Sequence, residues 1–167
     1  MGEYWNDRFG DGIEKILYQD GKVGATAGWT VRAAADTWMS TMAQNGTGST
    51  LVLPLPGLQV GDLIVGYHLL GQIDSAGNTV TLDVDLREFV PAVGASAAAA
   101  LSGTGMTQVS VSADTKLDIN NTQKKLTDAN RVRIREDRSL FALITGTTGA
   151  TTDIELLGLV LYVKKVN

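Results

Sequence analysis

The chain predicts an all-β protein, an antiparallel β-sandwich carrying an extended or short-helical N-terminal arm. Three observations carry that prediction. Residues 62–89 read as two long strands joined by a short turn. A second pair, RSLFALITGTT and DIELLGLVLYVKK joined at GATT, closes the chain. Turn signals recur between these segments at the spacing of a sandwich. With 44% hydrophobic and 19% charged residues, the 167-residue chain is globular and long enough for one real core.

The first 28 residues read as an arm, and 29–167 as the sandwich domain. Trp5, Phe9, Ile13, Ile16 and Leu17 recur at three- and four-residue spacing, which predicts a short amphipathic helix. Gly10 and Gly12 interrupt it, each costing about 1 kcal/mol against alanine. GKVGATAG then reads as a flexible connector. Tyr4, Trp5, Phe9 and Ile13 are the arm's anchors for a partner, because aromatic side chains concentrate at such contacts.

WTVRA predicts a strand, followed by one or two helical turns around AADTWMSTMAQ and a turn at Asn45-Gly46. STLVLPLP is a strand that Pro54 and Pro56 end early or hold at an edge. DLIVGYHLLGQI is nearly all apolar, DSAGN turns, and TVTLDVDLREF alternates strictly. Val80, Leu82, Val84 and Leu86 point one way; Thr79, Thr81, Asp83, Asp85 and Arg87 point the other. ASAAAALSGTG predicts a loop with a short helix, MTQVSVSADTKLDI a strand, and NNTQKKLTDAN a polar connection.

RVRIRED alternates Arg131, Arg133 and Arg135 with Val132 and Ile134. The stripe suits a salt-bridge seam between subunits or a contact with an acidic surface; a solvated edge strand is the plainer reading. In the last strand Ile154, Leu156, Val160 and Tyr162 fall on one face and Leu157, Leu159, Leu161 and Val163 on the other. A strand apolar on both faces needs cover on both. A neighbouring subunit is the simplest cover, worth several kcal/mol at about 25 cal/mol per Å² for roughly four side chains. A helix or loop of the same chain is the alternative.

Composition excludes several chemistries. Zero cysteines remove disulfides, thiolate metal sites and thiol nucleophiles, and a single histidine, His68, removes multi-histidine metal sites. A formal charge of −4 argues against non-specific nucleic-acid binding. The apolar runs fall short of the roughly 18 residues a membrane helix needs. MGEYWNDRFGDG lacks the flank and centre of a secretion signal, which predicts folding in the cytoplasm and deprives Asn45-Gly46-Thr47 and Asn120-Asn121-Thr122 of meaning as glycosylation sites. His68 sits in an apolar strand without a nucleophile motif and reads as a core or interface histidine; a hydrolase built on it is the remote alternative. Asp83 and Asp85 share one strand face, which is ordinarily solvated and more rarely binds calcium or a sugar. No catalytic, cofactor-binding or metal-binding set emerges, so the chain reads as a non-enzyme.

From about Ser49 to Lys165 the chain resembles the capsid decoration (head auxiliary or cement) proteins of tailed bacteriophages, which are jelly-roll-like β-sandwiches. The residues carrying the resemblance are GQIDSAGNTVTLDVDLR (71–87), TQVSVSADT (107–115) and LFALITGTTGATTDIELLGLVLYV (140–163). The first 28 residues and the arginine stripe lie outside it. The resemblance implies a homotrimer on the virion surface, bound to the major capsid protein, with no cofactor, nucleic acid or membrane. In that setting Leu157, Leu159, Leu161 and Val163 become subunit or inter-sheet contacts, Arg131, Arg133 and Arg135 subunit contacts, and Tyr4, Trp5, Phe9 and Ile13 capsid contacts. A phage fibre or tail-tip module binding host glycans through Tyr67, Asp83 and Asp85 is the alternative function.

Overall fold

β-branched and aromatic residues at alternating positions give this chain its strands, and glycine and asparagine turn it between them. A computed structural model describes residues 12–19, 21–23, 28–31, 39–91 and 97–166. In chain order its strands are β1 (Ile13–Tyr18), β2 (Lys22–Val23), β3 (Trp29–Thr30), β4 (Ser40–Met42), β5 (Ser49–Pro54), β6 (Leu63–Ser75), β7 (Val80–Val90), β8 (Ala97–Ala100), β9 (Val109–Val111), β10 (Thr115–Leu117), β11 (Lys124–Lys125), β12 (Val132–Arg133), β13 (Ser139–Thr147) and β14 (Thr152–Lys164). One helical turn, α1 (Ile119–Thr122), and a 3-10 turn (Asp128–Asn130) interrupt them. β1, β3, β4, β6, β10, β11, β12 and β14 form one antiparallel sheet; β2, β5, β7, β8, β9 and β13 form the other. The two sheets enclose a common core, so the chain is an all-β sandwich as predicted.

The two long strand pairs are arches, not hairpins. β6 lies in the larger sheet and β7 in the smaller, while β13 and β14 divide the same way in reverse. β6 pairs with β14 from Leu63↔Lys164 to Ser75↔Thr152, and β7 pairs with β13 from Thr81↔Thr147 to Phe89↔Ser139. The connections exceed the two residues of a tight hairpin, which lets each chain cross between layers. Alternation in β7 then does what the sequence predicts: Val80, Leu82, Val84 and Leu86 are buried between the sheets.

Alternation in β14 does not hold throughout. A bulge between Leu156 and Gly158 shifts its register against β6 and reverses which positions face inward. Ile154 and Leu156 enter the shared core before the bulge; Leu159, Leu161 and Val163 enter it afterwards. Val160 and Tyr162 face outward, where they join Val65 in a separate cluster packed by Ile13, Leu63, Leu70 and Ile119. Both faces of β14 are therefore covered within one chain. The expectation that a neighbouring subunit covers Leu159, Leu161 and Val163 is corrected: all three are fully buried between the sheets. Leu157, at the bulge, is half-buried.

Three local expectations are also corrected. Residues 13–18 form a strand, not a helix, because β1 completes the edge of β14 from Ile13↔Lys164 to Tyr18↔Leu159. Ser40–Met42 is a strand paired with β14, where helical turns were expected. Ala97–Ala100 is a strand against β7 rather than a loop or helix. In each case pairing with a longer strand overrides local propensity.

Candidate functional site

The arginine stripe becomes a groove because its apolar partners are anchored. Ile134 is buried, its N–H donates to the Asp62 carbonyl at 2.9 Å, and its own carbonyl accepts from Gly61 at 2.9 Å. Val132 pairs with Ile64 and Arg133 with Leu63 along β6. With Val132 and Ile134 turned inward, Arg131, Arg133 and Arg135 turn outward. Arg138 joins them from the start of β13. Together with Glu88, Leu101, Ser102 and Asn130 these four arginines line a groove of about 330 Å³.

Its charges are only partly matched. Arg138 pairs with Glu88 and lies 3.6 Å from Asp137, and Arg131 lies 2.7 Å from the exposed Asp128. Arg133 donates to the Gly61 carbonyl at 3.2 Å. Among the described residues neither Arg133 nor Arg135 has a carboxylate partner, and the buried Nε atoms of Arg131 and Arg138 make no hydrogen bond. A groove with spare guanidinium donors suits carboxylates or other planar anions, which arginine holds bidentately. A second, apolar cavity of about 290 Å³ adjoins it, lined by Pro54, Leu55, Pro56, Leu58, Ile134 and Leu140 and sharing Arg138.

At the far end of β6 the charge is opposite. Asp74 and Asp153 are directly opposed in the register of β6 and β14, and Glu155 follows on the same strand opposite Gln72. Asp114 donates no charge relief: its Oδ1 accepts the Ser75 N–H at 2.9 Å, and its carboxyl sits against that of Asp74. A shared hydrogen bond with Asp114, then its charge, raises the Asp74 carboxyl above its ordinary value. Burial, then Asp74 and Glu155, raises Asp153 likewise. Lys116 lies beside this corner and pairs with Asp118 at 3.9 Å. Among the described residues no group of three or more His, Asp or Glu side chains is placed to hold a metal ion.

Comparison with known proteins adds little. No family model matches the chain, and no curated protein sequence matches it. Among solved structures it is similar to the Agl-KA catalytic domain, with a TM-score of 0.34 and 12% identity over 93% of this chain. The chain spans 28% of the length of that structure.

The remaining predicted site residues fall in different places. Tyr4, Trp5 and Phe9 lie outside the described residues. Ile13 opens β1 and packs against the Val65–Val160–Tyr162 cluster, so it is an anchor within its own chain rather than a free contact. Tyr67 is fully buried and donates to the carbonyls of Val84 and Thr104, at 3.1 and 2.6 Å. That burial removes it as a sugar-binding surface. Asp83 and Asp85 are half-buried on the outer face of β7; Asp83 accepts the Val84 N–H at 2.8 Å and Asp85 lies 3.8 Å from Arg87. His68 is buried, and its Nδ1 lies 2.9 Å from the Tyr162 hydroxyl. Burial lowers its pKa to about 4, so the ring is neutral near pH 7 and sealed from solvent. What the sequence did not reveal is Arg138: its place in the groove depends on the pairing of β13 with β7, which brings it to Glu88.

Proposed function

We propose that the protein is a virion structural protein that decorates and stabilises a bacteriophage capsid, bound as a homotrimer to the major capsid protein. The observation that carries this reading is the seating of β1. Pairing of Ile13–Tyr18 along β14 fixes the chain at one sandwich edge, from which the first eleven residues, bearing Tyr4, Trp5 and Phe9, begin. A rigid sandwich with an aromatic-bearing segment tethered at its edge is a clamp: the sandwich supplies bulk on the lattice and the segment supplies anchors. The resemblance of residues 49–165 to decoration proteins supports the same reading.

The test is deletion of residues 1–11, leaving β1 intact. The shortened chain should keep its far-ultraviolet circular dichroism and thermal midpoint, yet fail to cosediment with emptied capsids of the phage that encodes it. Undiminished cosedimentation would remove the arm's role.

A further inference from the structure

We propose that the arginine groove of one copy receives the acidic corner of a second copy, in a head-to-tail contact. The occupant is argued from charge complementarity within this chain. Among the described residues the exposed Arg133 and Arg135 of the groove have no carboxylate partner. The corner presents Asp74 opposed to Asp153 across a strand pair, with Glu155 beside them, an arrangement of like charges that costs stability in an isolated copy.

The two features cannot satisfy each other within one molecule. Arg133 pairs with Leu63 at the start of β6, while Asp74 lies near its end. At about 3.3 Å per residue they stand roughly 36 Å apart. Made head to tail, such a contact is heterologous and either closes into a ring or propagates as a filament, whereas a reciprocal exchange of groove and corner about a two-fold axis gives a dimer. A closed ring of three is the form compatible with the homotrimer proposed above, on which this inference partly rests. The face of β14 is not available for that role, since both its sides are covered by its own chain. The two cavities meeting at Arg138 add an apolar wall beside the cations, which excludes water from an incoming carboxylate and strengthens its pairing.

The experiment uses the full chain in two charge-reversed forms, Arg133→Glu with Arg135→Glu, and Asp74→Lys with Glu155→Lys. Sedimentation velocity is run on each alone and on their equimolar mixture, at low and high salt. The wild type should assemble, and less so at high salt. Each variant alone should sediment as a monomer where the wild type does not. The mixture should recover association between unlike variants, whose grooves and corners are then of opposite sign, but not a closed ring of three, in which two like variants must meet. Assembly of both variants to the wild-type extent would overturn the proposal, and so would a wild type that stays monomeric throughout. Capsid cosedimentation of the same samples separates this inference from the function proposed above: a wild type that binds capsids while staying monomeric overturns only the head-to-tail contact, and a wild type that assembles without binding overturns only the capsid reading.

Discussion

The Tyr162 hydroxyl lies 2.9 Å from Nδ1 of His68, with the two rings tilted by 32° and their centroids 5.6 Å apart, beneath the outer surface of the larger sheet. Tyr162 comes from β14 and His68 from β6, so the contact spans the central strand pair. It turns the outer side of β14 from an unprotected apolar face into a small sealed layer, with Ile13, Leu63, Leu70 and Ile119 around it. Ile119 arrives on α1, whose start is fixed by a capping box: the Asp118 side chain accepts from Asn120 and the Asn121 side chain accepts from the Asp118 N–H. Association of subunits is thus not required to hide the last strand.

The buried imidazole makes stability depend on pH with a definite sign. His68 has a folded-state pKa of about 4 against an ordinary value of 6.5. Between those values the unfolded chain binds a proton that the folded chain refuses, so stability is complete above about pH 6.5 and is lost as pH falls towards 4. The loss amounts to about 3 kcal/mol by pH 4. Asp74 and Asp153, with raised carboxyl pKa values, act in the opposite sense, so the comparison must be with His68→Gln measured in parallel. Urea midpoints across this range should fall for the wild type relative to the variant; parallel curves would mean His68 is solvated.

Truncations along β14 should sort by the bulge. Leu159→Ala and Leu161→Ala each remove a fully buried side chain and should cost about 3 kcal/mol in urea unfolding. Leu157→Ala, at the half-buried bulge position, should cost clearly less. If these leucines were subunit contacts instead, the first two variants would change sedimentation at unchanged monomer stability.

How much of this was legible in the sequence depended on whether a pattern was local. The alternation of β7 was readable because no bulge interrupts it and the inward set is all aliphatic. The faces of β14 cannot be read by simple alternation after Leu156, because one extra residue flips every later side chain and Gly158 alone marks the place locally. The strand character of Ile13–Tyr18 was hidden because Ile13, Ile16 and Leu17 fit helical spacing; the edge of β14, nearly 150 residues later, decides the matter. The arginines of the groove were visible as a stripe, while their opposition to a distant acidic corner needed the direction of β6.

Gly158 tests the seating of β1 directly. A methyl group built there would come 2.2 Å from the Tyr18 carbonyl oxygen, a backbone atom that cannot swing aside. Gly158→Ala should therefore push the end of β1 off β14 and cost about 2 kcal/mol or more. Limited proteolysis should then cut within residues 13–18 while the rest of the sandwich stays protected. Unchanged protection of β1 would show that the edge strand adapts.

Asp62 holds the end of the chain, and its effect should appear in a different pH window from that of His68. Its side chain is completely buried; it accepts from the Gln59 N–H and from Lys165 Nζ, each at 2.9 Å, and from the Val166 N–H at 3.4 Å. Burial alone would raise its pKa, but the Gln59 N–H, Lys165 and the Val166 N–H outweigh it and hold the carboxyl below its ordinary value. Lys165, raised in turn by that contact, also reaches Glu14 on β1 at 3.4 Å, so one ion links the β5–β6 loop, β1 and the chain's last residues. Asp62→Asn keeps the shape but turns an amide towards three donors, and should cost about 2 kcal/mol near neutral pH. A depressed folded-state pKa gives stability that is present above the unfolded value and lost as pH falls through the folded one. The gap between wild type and variant should accordingly hold constant down to about pH 4 and narrow only below it, outside the interval in which His68 acts. A gap that closes already between about pH 6 and 5 would assign the loss to another group.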